Sequence, residues 1–149
     1  MPISTKFQKR FNMLMEEFDR TRKDIVVGAK INSSTLANAL NYGIIPTPKT
    51  LCKIADFFEI SVDYLLGDVD TDNYIPALER KSFYERLSSL VQEKRITFYK
   101  LAHDCGIDKT VIYNCHARNS VPSYDIFKIF CSYFNVSADY LLGRTDFKH

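Results

Sequence analysis

Apolar residues recur at helical spacing near the start of the chain. Phe7, Phe11, Leu14 and Phe18 fall at i, i+4, i+7 and i+11, the stripe of a helix that buries one face. Phe83, Leu87, Leu90 and Val91 draw a matching stripe in the second half. A second kind of stripe runs through Leu51, Ile54, Ala55 and Phe58, and again through Phe127, Phe130, Cys131 and Phe134. No stretch alternates with period two, so strands are not expected and the chain reads as all-α.

Polar residues before these stripes act as punctuation. Thr21 and Thr97 are placed to cap a second helix in each half, Asn32 and Asp108 a third, Thr47 and Ser123 a fourth, and Ser61 and Ser137 a fifth. Pro48 follows Thr47 at the favoured first helical position, and Gly67 and Gly143 close the fifth helices.

The two halves repeat. A shift of 76 residues lays Phe7–Asp70 on Phe83–Asp146 without a gap. It pairs Arg10 with Arg86, Leu14 with Leu90, Asn38 with Asn114 and Pro46 with Pro122. It also lays S-V-D-Y-L-L-G from Ser61 on S-A-D-Y-L-L-G from Ser137. Two copies are too few to close a solenoid core, so two small domains are predicted. They cover residues 1–67 and 76–149, each of five helices, joined by an acidic linker over 68–75. Pro76 is expected to open a helix that continues through Ala77, Leu78 and Glu79 into the first helix of the second copy.

Composition narrows the class without naming it. The 149 residues carry 20 Lys+Arg and 18 Asp+Glu, so total charge gives no signal for nucleic acid or membrane. The halves differ: residues 1–76 hold 9 cations and 10 anions, residues 77–149 hold 11 and 8, which favours the second as a phosphate binder. No apolar run approaches a membrane span and no signal-peptide core is visible, so a cytoplasmic location is expected. Cys52, Cys105, Cys115 and Cys131 form no C-x-x-C pair and read as reduced thiols.

Between the second and third helices lie tight turns, Gly28-Ala29-Lys30-Ile31-Asn32 and Asp104-Cys105-Gly106-Ile107-Asp108. Gly106 suits a left-handed backbone, and Lys30 stands at the matching place as a strained substitute. With Leu36 and Ala39, or Ile112 and Cys115, facing inward, the third helix keeps a polar face outward. The pattern L-A-H-D-C-G-I-D-K-T-V-I, followed by V-P-S and S-A-D-Y-L-L-G, resembles the Xre/Cro lambda-repressor-like helix-turn-helix family, and the first copy is similar over its length.

That resemblance implies a five-helix DNA-binding domain in each half and a DNA-binding transcription regulator, such as a repressor, with double-stranded DNA as partner. In this family glutamine is common at the first position of the second helix; here Arg22 and Phe98 stand there, and only Arg22 can meet phosphate. A glutamate common late in the third helix is replaced by Leu40 and His116, and a glycine that often ends it by Tyr42 and Arg118. Helical phase turns Ser33, Ser34, Asn38 and Asn41 toward a groove in the first copy. In the second it turns Lys109, Thr110, Tyr113, Asn114 and Arg118 the same way. The resemblance also implies that two such modules in one chain are suited to place their third helices one DNA turn apart, about 34 Å, as dimers do.

Other chemistries have weaker support. His103, Cys105, Cys115 and His116 cluster around one turn, but Cys105 aligns with Ala29 and Cys115 with Ala39, small core positions, so no metal or other cofactor is expected. No carboxylate pair, phosphate loop or triad points to an enzyme, and no small-molecule substrate or membrane is expected. The alternative is a protein-protein interaction module on the same fold, antirepressor- or antitoxin-like, holding a protein partner or a second copy. The cation-free third helix of the first copy and Phe98, an aromatic near the polar face, favour it.

Overall fold

The computed structural model describes residues 2–149, and over them the regular structure is helical. The chain divides into two compact units, Met1–Tyr74 and Ile75–His149. Unit 1 contains α1 (Thr5–Glu17), α2 (Arg22–Ala29), α3 (Ser33–Tyr42), α4 (Pro48–Phe58) and α5 (Val62–Leu65). Unit 2 contains α6 (Phe83–Glu93), α7 (Phe98–Cys105), α8 (Lys109–Arg118), α9 (Tyr124–Phe134) and α10 (Ala138–Leu141).

Both ends of α2, α3, α4 and α5 recur in α7, α8, α9 and α10 with the 76-residue offset of the sequence. The backbone follows the same register where it is hardest to form. Among the described residues, positive φ occurs only in the pairs Asp19/Arg95, Lys30/Gly106, Gly43/Asn119, Glu59/Asn135 and Gly67/Gly143. Each pair ends a helix or turns the chain toward the next one, so the stops are set by backbone geometry even where the residue types differ.

The caps work as their chemistry requires. The Thr21 hydroxyl accepts from Asp24 N–H while the Asp24 carboxylate accepts from Thr21 N–H, a reciprocal box at the start of α2. Thr47, Ser61, Thr97 and Ser137 each accept a backbone N–H of the helix they precede. Ser123 begins α9 without such a bond.

Each unit closes around one core. Phe7, Phe11 and Leu14 of α1 meet Ile25, Leu36, Leu51, Ile54 and Val62, all essentially buried. Phe18 departs from its expected place in that stripe: it follows the last turn of α1 and is 43% exposed, with its ring centre 5.4 Å from that of Phe58. In unit 2, Phe83, Leu87, Leu90 and Val91 are buried against Leu101, Ile112, Phe127 and Phe130.

An arginine fastens the last helix of each unit to the first. Arg10 lies 4.0 Å from the Tyr64 ring centre and donates to the Tyr64 carbonyl at 2.8 Å. Arg86 lies 4.3 Å from the Tyr140 ring and donates to the Thr145 carbonyl at 2.8 Å. Unit 2 adds a buried ion pair between Arg144 and Asp139.

The expected helix through Pro76, Ala77, Leu78 and Glu79 is not formed. Its N–H groups go elsewhere: Ala77 donates to the Arg144 carbonyl at 2.8 Å and Leu78 to the Asp146 carboxylate at 3.4 Å, so α6 starts only after the Ser82 cap. Much of the segment read as a linker is also fastened down. Val69 O accepts from Arg10, the Asp72 carboxylate accepts from Ser61 N–H, and Ile75 O accepts the Thr145 hydroxyl.

The glycines that end the fifth helices differ in how much room they have. A Cβ on Gly67 would meet Lys6 at 3.0 Å, whereas one on Gly143 would fall 1.8 Å from the Lys81 carbonyl oxygen. Gly67→Ala is expected to cost about 1–2 kcal/mol for the left-handed backbone, with a further small cost for the tight contact with the Lys6 carbonyl. Gly143→Ala is expected to cost ~3 kcal/mol or more, because backbone must move as well. Urea titrations of the two variants check the order.

Candidate nucleic-acid interface

The corner between the second and third helices is built the same way in both units. Lys30 takes the left-handed turn at φ 56°, Gly106 at φ 67°. The Asn32 side-chain oxygen then accepts from Ser34 N–H at 2.7 Å, and the Asp108 carboxylate from Thr110 N–H at 2.9 Å. Leu36, Ala39 and Leu40 bury one side of α3, and Ile112 and Cys115 bury one side of α8.

The remaining sides carry the expected groove residues. Ser33, Ser34 and Asn41 are exposed on α3, while Asn38 is half-buried beside the core. Lys109, Thr110, Tyr113, Asn114 and Arg118 are all exposed on α8. Tyr113 is 70% exposed, a large aromatic left in water on a helix whose opposite side is packed.

The two third helices are held from behind by different chemistry. In unit 1 the Gln8 amide donates to the carbonyls of Leu40 (3.2 Å) and Asn41 (2.8 Å), and the Asn12 amide donates to Leu40 at 3.0 Å. These are carbonyls at the end of a helix, where intrahelical partners run out. Arg22, at the start of α2, donates to the Asn41 side-chain oxygen at 2.6 Å. Two of the residues expected to meet DNA are thereby joined to each other.

Unit 2 replaces this polar clasp with rings. Tyr84 occupies the place of Gln8, Phe98 that of Arg22 and His116 that of Leu40. Tyr84 stacks on His116 with ring centres 4.0 Å apart and on Phe98 at 5.6 Å. Phe98 is half-buried and spent in this stack, which ties α6, α7 and α8 together. Gln8, Asn12 and Tyr84 are not evident as functional positions from sequence. They flank the apolar stripe of the first helix, and only their one-residue offset from Phe7, Phe11 and Phe83 hints at a partner beside the core.

The His and Cys residues around the second corner part company. His116 is in the ring stack, while His103 is exposed with its ring edge-on to Tyr99. Cys115 is buried and Cys105 half-buried, and burial pushes both thiols up, away from the thiolate a metal or nucleophilic role uses. Among the described residues no group of three His, Cys, Asp or Glu is placed to hold a metal ion, and no helix is long and apolar enough to cross a membrane.

Compared with known proteins, the chain matches no family model, no curated protein and no solved structure, so the site stands on its own geometry.

The caps of α3 and α8 differ in one titratable group. The Thr110 N–H and hydroxyl hold the Asp108 carboxyl below the usual carboxylate range, with Lys109 adding a smaller pull, whereas Asn32 does not titrate. A carboxyl lowered by folding adds stability that is present above its unfolded value and lost as pH falls through the folded one. The start of α8 is therefore expected to loosen below about pH 4 while the start of α3 does not. Hydrogen exchange of Thr110 and Ser34 amides across acid pH reads this directly, and Asp108→Asn should remove the difference.

Proposed function

We propose that the chain is a non-enzymatic, sequence-specific DNA-binding regulator of the lambda-repressor-like helix-turn-helix type, working in the cytoplasm, with α8 as its principal reading helix. One observation carries this: Lys109, Tyr113, Asn114 and Arg118 stand exposed on one helix with no side-chain hydrogen bond or ion pair among the described residues. That helix is braced from behind by the ring stack and shaped by a left-handed corner. Free donors and acceptors on an exposed helix face are what base edges in a major groove require. Asn114 has the two-pronged amide that suits adenine, and Lys109 and Arg118 suit guanine or phosphate.

The α3 corner is less free, since Arg22 and Asn41 already satisfy each other. A second reading, a protein-holding module, draws on that corner instead. Val27 on α2 is 67% exposed and Tyr42 at the end of α3 is 65% exposed, apolar surface of the kind found at protein interfaces.

Selection from a random duplex pool by the full chain is expected to enrich a defined site. Replacing Lys109, Asn114 and Arg118 by Ala should remove the preference for that site, at about 1–3 kcal/mol for each base no longer read, while the helical spectrum stays unchanged. No enrichment, with weak binding indifferent to salt, would instead favour the protein-holding module.

A further inference from the structure

Net charge by half conceals where the cations of unit 1 lie. From Arg20 to Ala55 the chain carries Arg20, Arg22, Lys23, Lys30, Lys49 and Lys53, all exposed, against Asp24 as the one acid. Asp24 is engaged in the cap of α2. Asp19 and Asp56 border the stretch, Asp56 exposed on α4 three residues after Lys53, and the remaining acids of unit 1 lie farther out. The matching stretch of unit 2, Ile96 to Cys131, has Lys100, Lys109, Arg118 and Lys128 against Asp104, Asp108 and Asp125. Lys100 is there paired to Asp104 at 3.2 Å.

Within the basic stretch, Lys30, Lys49 and Lys53 belong together. The Lys53 ammonium donates to the Lys30 carbonyl at 3.5 Å, and Lys49 lies one helical turn before Lys53 on α4. At the same three places unit 2 has Gly106, Asp125 and Ile129. Two of those differences run against folding. Lys30 holds a left-handed backbone that glycine holds without strain. Lys49 puts a cation in the first turn of α4, where the helix dipole favours the acid that unit 2 has at Asp125. Repeated backbone geometry with less favourable residues at one copy points to a use other than stability.

We infer that Lys30, Lys49 and Lys53 form a phosphate-gripping patch through which unit 1 holds the backbone of duplex DNA without reading its sequence. The inference rests on the duplex-DNA reading for its ligand, and it assigns the two units different work: α8 discriminates and the lysine patch of unit 1 anchors. Compact ammonium groups on flexible stems suit phosphate as point charges and need no base-edge geometry.

The experiment uses the full chain and a fluorescent random-sequence duplex, titrated over a series of salt concentrations. The variant K30G/K49A/K53A relieves the strained turn and the helix-end repulsion, so it is expected to keep its helical spectrum. Its log affinity against log salt should be shallower than wild type by about two to three, near 0.9 for each phosphate no longer neutralised. Its preference for a selected site over random duplex should be unchanged. Lys6→Ala, Lys9→Ala and Lys81→Ala combined, three cations outside the patch, should leave the slope near wild type.

A K30G/K49A/K53A slope equal to wild type overturns the patch while leaving DNA binding intact. An equal drop in the Lys6/Lys9/Lys81 variant overturns its location. Wild-type protein that fails to bind duplex at any salt overturns the DNA reading and the patch together.

Discussion

The end of the third helix in each unit needs support from outside itself, and the rest of the arrangement follows from how it is supplied. The final turn of an α-helix leaves carbonyls without intrahelical partners, and in a unit this small few side chains are at hand to cover them. Gln8 and Asn12 reach across from α1 to the carbonyls of Leu40 and Asn41. In unit 2 the last turn of α8 is steadied through a side chain, His116, on which Tyr84 lies flat. The backbone stops also differ: Gly43 closes α3, and Asn119, a non-glycine residue type at ease in that conformation, closes α8. Either solution ties the third helix to the first, and the outward face of α8 is left exposed.

A duplicated backbone has thus been filled with two chemistries. Several positions that bury apolar side chains are identical in the two units: Phe7 and Phe83, Leu14 and Leu90, Phe58 and Phe134, and Leu65 and Leu141. Other core positions stay apolar with a different shape, as Leu51 does with Phe127, while the changes of chemical type gather where the first helix meets the second and third, the buried Leu40 included. Gln8 gives way to Tyr84, Arg22 to Phe98 and Leu40 to His116, three changes that meet at one corner and make sense only together.

Legibility in the sequence tracks the range of the interaction. Caps such as Thr21, Asn32 and Ser61 act over two or three residues, and stripes such as Phe7–Phe11–Leu14 obey one helical period, so both can be read along the chain. The left-handed turn at Lys30 is readable because Gly106 stands at the same place in the other copy. The absence of a helix over Pro76–Glu79 is not, since the groups that capture its N–H donors, the Arg144 carbonyl and the Asp146 carboxylate, lie almost seventy residues away. Of the proposed groove residues, those on α8 are exposed, while Arg22 and Asn41 are each other's partner, a pairing that helical phase does not encode.

The sequence by itself determined that the chain is helical, that its halves share one backbone plan, and where most helices begin and end, because those depend on local propensity and on repetition. Only the tertiary structure decided which polar side chains are spent inside each unit and which are left for something else. That division depends on atoms brought together from distant segments: an amide on α1 and carbonyls on α3, a ring on α6 and an imidazole on α8, a lysine on α4 and the strained turn before α3. No spacing rule along a single helix carries that information.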